Sequence, residues 1–511
     1  MDGDRKWGVV SVACIAVFII VLDSSAMNVA IRTLVVDLDT TLSTLQAIIA
    51  IYALVIASFL LTGSKLQDIL GRRRAFFTGL MVYASGTIIA ALSVNAAMLL
   101  LGWSILEGVG AALILPATTT MVSSRYEGRD RVIAFGIWGG IAAMGAALGP
   151  IVGGVFTTYL SWRAVFGSEL IFIAIILILR RYITYSKPGL SWSEFDIMGA
   201  VLSVVSLSMI VMGILLMNRP SHWGYASAIL AAGIVLFSIF LLWELRRIKI
   251  GKEPLSDVTL LGNHRFALGN LITVIQQIPL AGFLFVMPVF LQMVLGMNPF
   301  MTGVTLLPAA MAVFILSIGG SRISVKIGAR SVLMVGFLIS ALGAFVLGNT
   351  LHINTTVSAI HPGAVLFGSG IGLLLSQSTN LTMSAVPSDM ENDASGLLNC
   401  CKNLGYSIGT ALIGVLLITG IFYGAVDAVK DSDLAPGATE KEIEASIISY
   451  VDKMHTERPK IKLKVTGDYR EIVNAAVSSA MRQTFRTLSL ILMAGFFISF
   501  IVPGSRKRRR G

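Results

Sequence analysis

Charged residues are scarce in this sequence, and their scarcity excludes an ordinary soluble protein. Asp, Glu, Lys and Arg make up 13% of the 511 residues, whereas hydrophobic residues make up 55%. A typical soluble domain has about 25% charged residues, and the mean hydropathy here is +0.82. The composition therefore predicts a protein that is embedded in a lipid bilayer.

Cysteine and histidine are also few, with three and five copies. Cys14, Cys400 and Cys401 fall inside predicted membrane helices, and no Cys-x-x-Cys or His-rich spacing accompanies them. The sequence therefore predicts neither a disulfide framework nor a metal site. It contains no His-Glu-x-x-His motif and no ATP-binding Gly-x-x-x-x-Gly-Lys-Ser/Thr loop, so we expect no enzyme and no bound cofactor.

The apolar residues form fourteen stretches, each long enough to cross a hydrocarbon core about 30 Å thick, which needs roughly 20 helical residues. The first lies at about 7–30, the sixth at about 162–179 and the last at about 484–503. No signal-peptide cleavage site follows the first stretch, so we expect it to remain as a helix. The sequence thus predicts an all-α integral membrane protein with fourteen transmembrane helices.

The positions of Lys and Arg predict the orientation, because basic residues resist translocation. If the N-terminus is cytoplasmic, most of the 39 basic residues fall in inner segments and few in short outer loops. We therefore expect both termini in the cytoplasm, and we interpret the basic run at 506–510 as a topology anchor rather than a nucleic-acid site. Between predicted helices 13 and 14, residues 423–483 are expected to form a long segment outside the cell. This segment contains helix-start signals at 439–442 and 468–471.

Two segments of the chain resemble each other. The sequence "GSKLQDILGRR" after helix 2 aligns with "GSRISVKIGAR" after helix 10 at an offset of 257, which pairs Gly71 with Gly328. Transporters are often built from repeated bundles that enclose a site near the bilayer midplane. We therefore predict six-helix bundles at 1–185 and 265–511, and two inserted helices with their linkers at 186–264.

Together these features resemble the major facilitator superfamily, and within it the fourteen-helix drug:proton antiporters. Three motifs carry the resemblance: "LDSSAMNVA" in helix 1, "GSKLQDILGRRR" after helix 2 and "GAALGPIVGG" in helix 5. It extends from about residue 10 to 420. The matching positions are Gly63, Lys65, Asp68, Gly71, Arg72 and Arg73 in the loop, and Gly145, Gly149, Pro150, Gly153 and Gly154 in helix 5.

Each motif has an expected role. We expect the glycines of helix 5 to let neighbouring helices approach closely, and Pro150 to bend that helix. The resemblance implies that this motif seals the cavity during exchange. It also implies that Asp68 docks against the other bundle and holds the inward side shut, whereas Val325 occupies the equivalent position in the second copy. The arginines of the loop are explained equally well as topology anchors.

Asp23, Glu107 and Glu169 are acids deep in predicted helices. At 1.5 Å per residue, each lies roughly 10 to 14 Å from the outer end of its helix, so the three share one depth in the first bundle. An acid at such a depth usually faces a cavity or a partner. We predict that the three couple proton movement to transport. The alternative is a structural hydrogen-bonding role or, for Glu169, a place near the membrane surface.

Helix 4 departs from the family pattern. The usual motif has an Arg three residues before a Gln, but Ser104 and Glu107 stand at those positions. The Arg-assisted proton route is therefore absent, and we infer that Glu107 shares a proton with Asp23.

The predicted second bundle has polar but no acidic residues deep in its helices. Asn399, Lys402, Asn403 and Tyr406 recur at spacings of three and four and form one polar stripe. This pattern favours a monovalent, zwitterionic or anionic cargo, although Lys402 is as well explained as the partner of a carboxylate in the first bundle. Four further positions are assigned to the cavity: Asn28, Trp138, Gln276 and Gln292. For Asn28, helix packing is favoured over contact with the substrate.

We therefore expect a proton-coupled exporter of small amphipathic compounds, of the multidrug and antibiotic-resistance type, that works as a monomer in the plasma membrane. One alternative is a carrier of a specific metabolite, lipid or anion with the same fold. Another is a receptor-like homologue that does not transport. The expected partners are the bilayer, the small-molecule substrate and protons.

Overall fold

The protein is all-helical in its computed structural model, which describes residues 3–126, 128–183, 189–217, 222–387, 390–430 and 467–502. These residues contain no β-strand. The predicted helix start at 439–442 and the basic run at 506–510 lie outside the described residues.

The described residues form helices that are named here in chain order. Two π-helical segments, named π1 and π2, interrupt the order. The elements are α1 (Gly3–Val29), α2 (Ile31–Asp37), α3 (Leu42–Leu70), α4 (Arg72–Ala91), α5 (Ala96–Leu99), π1 (Leu100–Glu107), α6 (Gly108–Arg125), α7 (Gly128–Tyr159), α8 (Arg163–Ile178), α9 (Ile197–Leu216), α10 (Trp223–Lys249), α11 (His264–Val289), π2 (Phe290–Val294), α12 (Pro299–Ile327), α13 (Ala329–Thr350), α14 (Val357–Met383), α15 (Glu391–Lys430) and α16 (Gly467–Ser499).

Among the described residues, eleven helical spans are long and apolar enough to cross a membrane, or twelve if the bent α7 is one span. Neither α8, with 16 residues, nor α16 is among them. These two helices correspond to the sixth and the last predicted spans. The total of fourteen spans and the boundaries at 185 and 265 therefore stay predictions.

The internal repeat is visible in the backbone. Gly71 ends α3 and precedes α4 with φ 82° and ψ 142°, and Gly328 joins α12 to α13 with φ 86° and ψ 149°. In each copy the glycine N–H donates to the carbonyl four residues earlier, at 2.9 and 2.8 Å. A positive φ is strained for residues with a side chain, so both copies require glycine at this turn.

The helices form two groups that meet along two lines of contact, here called seams. The first group comprises α1 to α8 with π1, and the second comprises α11 to α16 with π2. In the first group α1 packs against α6, α7 and α8, and in the second α14 packs against α12 and α13. Helix α3 contacts α15, and α7 contacts α12, so these pairs join the groups. The inserted α9 packs against α10 and also touches both α3 and α15. The insertion therefore lies beside one seam, in contact with both groups.

Helix α7 is bent, as the sequence predicted. Its halves, Ile137–Ala146 and Leu148–Tyr159, meet at an angle of 41°. Pro150 lies just after the break. A proline ring clashes with the carbonyl four residues earlier and removes one hydrogen bond, which accounts for a bend at this place.

Candidate functional site

Asp23, Glu107 and Glu169 meet inside the first group of helices. They come from α1, the end of π1 and α8, and all three are fully buried. One carboxylate oxygen of each lies within 4.8 Å of one oxygen of each of the others. The shared depth that helix arithmetic predicted thus corresponds to one compact cluster, which we call the acid cluster.

Aromatic side chains line the acid cluster. The Trp103 indole N–H donates to Asp23 Oδ2 at 2.6 Å, and the Tyr83 hydroxyl donates to Glu169 Oε2 at 3.0 Å. Tyr52 stacks on Trp103 with ring centroids 5.3 Å apart. Sequence reasoning missed these neighbours, although Trp103 precedes Glu107 by four residues and its position was therefore a usable signal.

Several oxygens of the cluster have no hydrogen-bond partner among the described residues. They include Asp23 Oδ1, Glu169 Oε1 and both carboxylate oxygens of Glu107. Burying a polar atom without a partner is costly. The cluster therefore has acceptor capacity for protons, or for a small hard cation, which prefers oxygen ligands.

The backbone around Glu107 is unusual. The eight residues Leu100–Glu107 form a π-helical segment, and such segments are often found at functional sites. Gly86 of α4 lets this segment approach closely, because a Cβ on Gly86 would lie 2.7 Å from the Glu107 nitrogen. Ser104 donates to the Ile48 carbonyl at 2.7 Å and so ties π1 to α3.

The glycine motif of α7 packs against the helix that carries Asp23. Gly145 faces Phe18, whereas Gly149 and Gly153 face Ser25 and Ala26, all on α1. Gly154 faces the other way, where a Cβ would lie 2.7 Å from the Pro299 carbonyl oxygen at the start of α12. In return, Gly303 of α12 lies against the Pro150 carbonyl. The motif therefore connects the acid-bearing helix with the second group.

The two groups also touch through polar side chains. Asn28 of α1 donates to the Tyr406 hydroxyl of α15 at 3.2 Å. Beyond it, Arg32 donates to the Gln292 carbonyl at 2.7 Å, and Gln292 donates back to the Val29 carbonyl at 2.6 Å. The space between the groups is therefore bridged at the end where α1 finishes, which we call the Arg32 end.

The remaining predicted cavity residues are held mainly within their own group. Trp138 donates to Thr118 at 3.3 Å, and Gln276 donates to Ser378 at 2.9 Å. Asn399 and Asn403 donate to carbonyls of their own helix. Lys402 makes neither an ion pair nor a hydrogen bond with the described residues, so the suggested pairing with a carboxylate of the first bundle is not observed there.

The loop motif lies at the opposite end of α3, which we call the Lys65 end. Lys65 forms a 3.0 Å ion pair with Glu253, and the Asp68 carbonyl accepts hydrogen bonds from Gly189 and Leu190 at 2.8 and 3.1 Å. The linkers on both sides of α9 and α10 are thus attached to this motif. The Asp68 side chain is exposed, so its docking against the other bundle stays a prediction.

Comparison with known proteins decides the family. The model described as Major Facilitator Superfamily matches residues 13–410. The chain belongs to the major facilitator superfamily. It is a multi-pass membrane transporter of small molecules rather than an enzyme.

Several bacterial transporters are similar to this facilitator. Multidrug resistance protein Stp of Mycobacterium tuberculosis (strain CDC 1551 / Oshkosh) is 29% identical over 410 residues, which cover 79% of this chain and 74% of Stp. Multidrug efflux pump LfrA of Mycolicibacterium smegmatis (strain ATCC 700084 / mc(2)155) is 28% identical, with 83% of each chain covered. Riboflavin transporter RibZ of Clostridioides difficile (strain 630) is 28% identical, covering 82% of this chain and 90% of RibZ.

Solved structures agree on the fold. The human organic anion transporter MFSD10 superposes with a TM-score of 0.61 at 13% identity, covering 97% of this chain and 99% of that one. A bacterial homologue of the human lysosomal transporter Spinster, in an inward-facing conformation, gives 0.62 at 14% identity and covers 98% and 97%. Identities this low establish the facilitator fold alone.

One motif in the facilitator chain has the spacing of a hydrolase nucleophile without its setting. Residues 405–409 read Gly-Tyr-Ser-Ile-Gly. A nucleophilic serine in such a motif stands on a sharp turn between strand and helix. Ser407 instead lies in the middle of α15 and donates to the Ala50 carbonyl of α3 at 2.7 Å. It acts as a tie between the two groups of helices.

Proposed function

We propose that this transporter exports small amphipathic compounds in exchange for protons, with the acid cluster as the proton site. The single observation that carries the proposal is the juxtaposition of Asp23, Glu107 and Glu169, fully buried and within 4.8 Å of one another. Three carboxylates at this spacing do not all carry a negative charge without a bound cation, because like charges in a medium of low polarity repel strongly. The cluster therefore holds protons that it can exchange.

In an alternating-access cycle, the acid cluster communicates first with one side of the membrane and then with the other. Contacts at the Arg32 end hold the groups together, with Arg32 and Gln292 on opposite sides. If the N-terminus is cytoplasmic, this end faces outward, and the conformation described here is closed to the outside. In this orientation both termini lie in the cytoplasm. The bacterial exporters Stp and LfrA support the plasma membrane as the location.

Coupling requires that the cargo and the proton affect each other through the cluster. Asp23 lies on α1, and Asn28, one and a half turns further along the same helix, reaches Tyr406 in the second group. A rearrangement of α1 therefore alters both the acid cluster and the space between the groups. Binding of cargo in the space between the groups then favours release of a proton from the acid cluster. Reciprocal linkage requires that proton binding in turn favours release of the cargo. We propose that one chain carries out the full cycle as a monomer.

The export direction and the cargo class rest on similarity. Stp and LfrA are described as multidrug resistance and efflux proteins. RibZ, described as a riboflavin transporter, supports the second candidate, which is a carrier of one specific metabolite through the same fold.

The test is proton movement in inside-out vesicles that have been acidified. Fluorescence of an internal pH probe is followed while lipophilic cations, zwitterions and anions are added one at a time, for wild type and for Asp23→Asn. If the protein exchanges cargo for protons, at least one compound triggers proton release from wild-type vesicles, and Asp23→Asn abolishes that release. Glu194→Gln, a change at an exposed acid that keeps a helix-capping side chain, is the control and retains release.

Two results would count against the proposal. If no compound triggers proton release from vesicles with well-expressed wild type, the result favours the metabolite carrier, or a homologue without transport. Substrate efflux that follows a sodium gradient and persists without a proton gradient would assign the acid cluster to a metal cation instead of protons.

A further inference from the structure

Lys402 lies on the face of α15 that looks across the space between the two groups. Tyr406, one turn further along, reaches Asn28 of α1 from that face. The flanking faces of α15 are occupied, since Ser407 bonds to α3 and Gly405 packs on Gln277 of α11. Residues four apart share a helix face, so Lys402 lies with Tyr406, between the surfaces that contact α3 and α11.

The position of Lys402 along this face is just inside the closed Arg32 end. Four residues of helix span about 6 Å, so Lys402 lies about one turn from the Asn28–Tyr406 hydrogen bond, towards the Lys65 end. The bridge between Arg32 and Gln292 lies beyond that bond. A compound that enters from the Lys65 end therefore meets Lys402 before it reaches the closure.

No group of the described chain neutralises this lysine. It is half-buried, and it has neither an ion pair nor a hydrogen bond with the residues that the structure describes. The adjacent Asn399 and Asn403 direct their amides to carbonyls of α15 itself. Asp23 is bonded to Trp103 inside the first group. Removing an ammonium group from water is costly without an opposite charge.

A buried acceptor lies against the same helix, three residues beyond Lys402 at Gly405. Gln277, which packs on Gly405, has a side-chain oxygen that is buried and receives no hydrogen bond from the described residues. Gln276, next to it, likewise has an oxygen without a donor, while its nitrogen bonds to Ser378. A ligand with a hydroxyl or N–H group beside its charge would satisfy such an acceptor.

We propose that Lys402 is the counter-charge for the cargo, and that the cargo is an amphipathic organic anion carrying a carboxylate or a sulfonate. The inference rests on the proposed transport function, because it concerns what occupies the space between the groups. It goes further by naming one charge class where sequence reasoning left three. Protons then bind to the acid cluster among the first group of helices, and the carboxylate or sulfonate of the cargo binds to Lys402 in the second.

The test uses three probes that share an anthracene ring and differ in charge. They are anthracene-9-carboxylate, the neutral 9-anthracenemethanol and the cationic 9-anthracenemethylammonium. Binding to the full-length protein in phosphatidylcholine nanodiscs is measured by fluorescence anisotropy, with empty nanodiscs as the blank. A charge-assisted contact is worth about tenfold in affinity or more. We expect the carboxylate to bind wild type about tenfold more tightly than the alcohol.

Variants assign that preference to one side chain. Lys402→Gln is expected to bind the carboxylate about tenfold more weakly and the alcohol within twofold of wild type. Lys402→Arg keeps most of the preference, which shows that the fold tolerates the site being changed. Lys249→Gln, at an exposed lysine at the end of α10, leaves all three affinities unchanged.

Two outcomes would overturn the proposal. One is a wild-type protein that binds the carboxylate no better than the alcohol, including no measurable binding of either. The other is an undiminished preference in Lys402→Gln. Because binding in nanodiscs requires no proton gradient, the result is independent of the vesicle test: a carboxylate preference without coupled proton release would retain this inference and reject proton exchange.

Discussion

Lys65 and Glu253 join the loop motif to the inserted pair of helices through a 3.0 Å ion pair. Lys65 is almost fully buried, whereas about half of the Glu253 side chain is exposed. Glu253 belongs to the linker that follows α10, and the linker that precedes α9 bonds to the Asp68 carbonyl on the same stretch. The insertion is thus attached at the Lys65 end, where the proposed transport cycle requires the two groups to separate and approach.

Glu253→Gln should therefore slow transport by a few-fold while the protein stays folded. A partly exposed ion pair contributes about 0.2–1 kcal/mol, and less at high salt. We expect a small loss of thermal stability that shrinks as salt is added, and the exchange Lys65→Glu with Glu253→Lys should recover part of the transport rate. Lys252→Gln, at the neighbouring exposed lysine, is the control. Wild-type transport and salt response in Glu253→Gln would contradict a functional role for the pair.

Glu107→Gln should abolish proton-driven transport without reducing stability. Neither oxygen of Glu107 accepts a hydrogen bond from the described residues, and two other carboxylates lie within 4.8 Å. Replacing the acid by an amide therefore removes repulsion and sacrifices no observed contact. The measurement is the apparent melting temperature in detergent together with vesicle flux. Normal coupling in this variant would contradict the shared-proton hypothesis.

Ser104→Ala provides the matched contrast on the same segment. Its hydroxyl donates to the Ile48 carbonyl at 2.7 Å, and losing such a bond costs about 0.5–1.5 kcal/mol. We expect this variant to melt earlier and to retain coupled transport, which is the opposite of the result for Glu107→Gln.

The sequence predicted those parts of the fold that local patterns encode. Hydropathy located the eleven or twelve long apolar spans of the described residues, and the repeated glycine turn at Gly71 and Gly328 follows from a backbone conformation that only glycine adopts readily. The bend of α7 follows from Pro150. Whether α8 and α16 span the membrane is not a local question, because short or partly polar helices depend on their neighbours for burial.

For the candidate site, the sequence predicted the depth of the three acids in the membrane but not the side chains that surround them. Distance along a helix placed Asp23, Glu107 and Glu169 at one level, because the rise per residue is constant. Their partners depend on how helices rotate about their axes, and one sequence does not fix this rotation. Glu253 and Gly303 were missed for the same reason, since both act through a distant segment and neither belongs to the recognised motifs.

Asp37 should make stability depend on pH in acid. The Trp162 indole donates to it at 2.8 Å and Arg163 at 2.6 Å, and these bonds hold its pKa below the ordinary value of 3.8. A lowered pKa contributes stability that is fully present above about pH 4 and is lost as pH falls through the folded-state value. Asp37→Asn should therefore melt below wild type at pH 7 and approach it at pH 3.

The reciprocal variant Arg163→Gln removes the same ion pair from α8 and should show the same narrowing gap. Because the Asp37 side chain is 44% exposed, we expect a modest difference. A gap that stays constant from pH 7 to pH 3 in both variants would show that Asp37 contributes nothing through its charge.

Gly303 offers the sharpest test of the contact between the α7 motif and the second group. A Cβ at this position would collide with the Pro150 carbonyl, which is backbone and cannot move aside without shifting α7. Gly319, further along the same helix, has nothing within 4 Å of its Cβ position. Replacing a helical glycine by alanine normally favours the helix by about 1 kcal/mol, so the two substitutions should act in opposite directions.

We therefore expect Gly319→Ala to raise the apparent melting temperature slightly and to leave transport unchanged, and Gly303→Ala to lower both stability and transport. The loss of transport follows because the collision separates α12 from α7 beside α1, the helix that carries Asp23. If Gly303→Ala behaves like Gly319→Ala, the close approach is not needed for function. In that case the seal between the groups must depend on side chains such as Arg32 and Gln292 rather than on the glycine contacts.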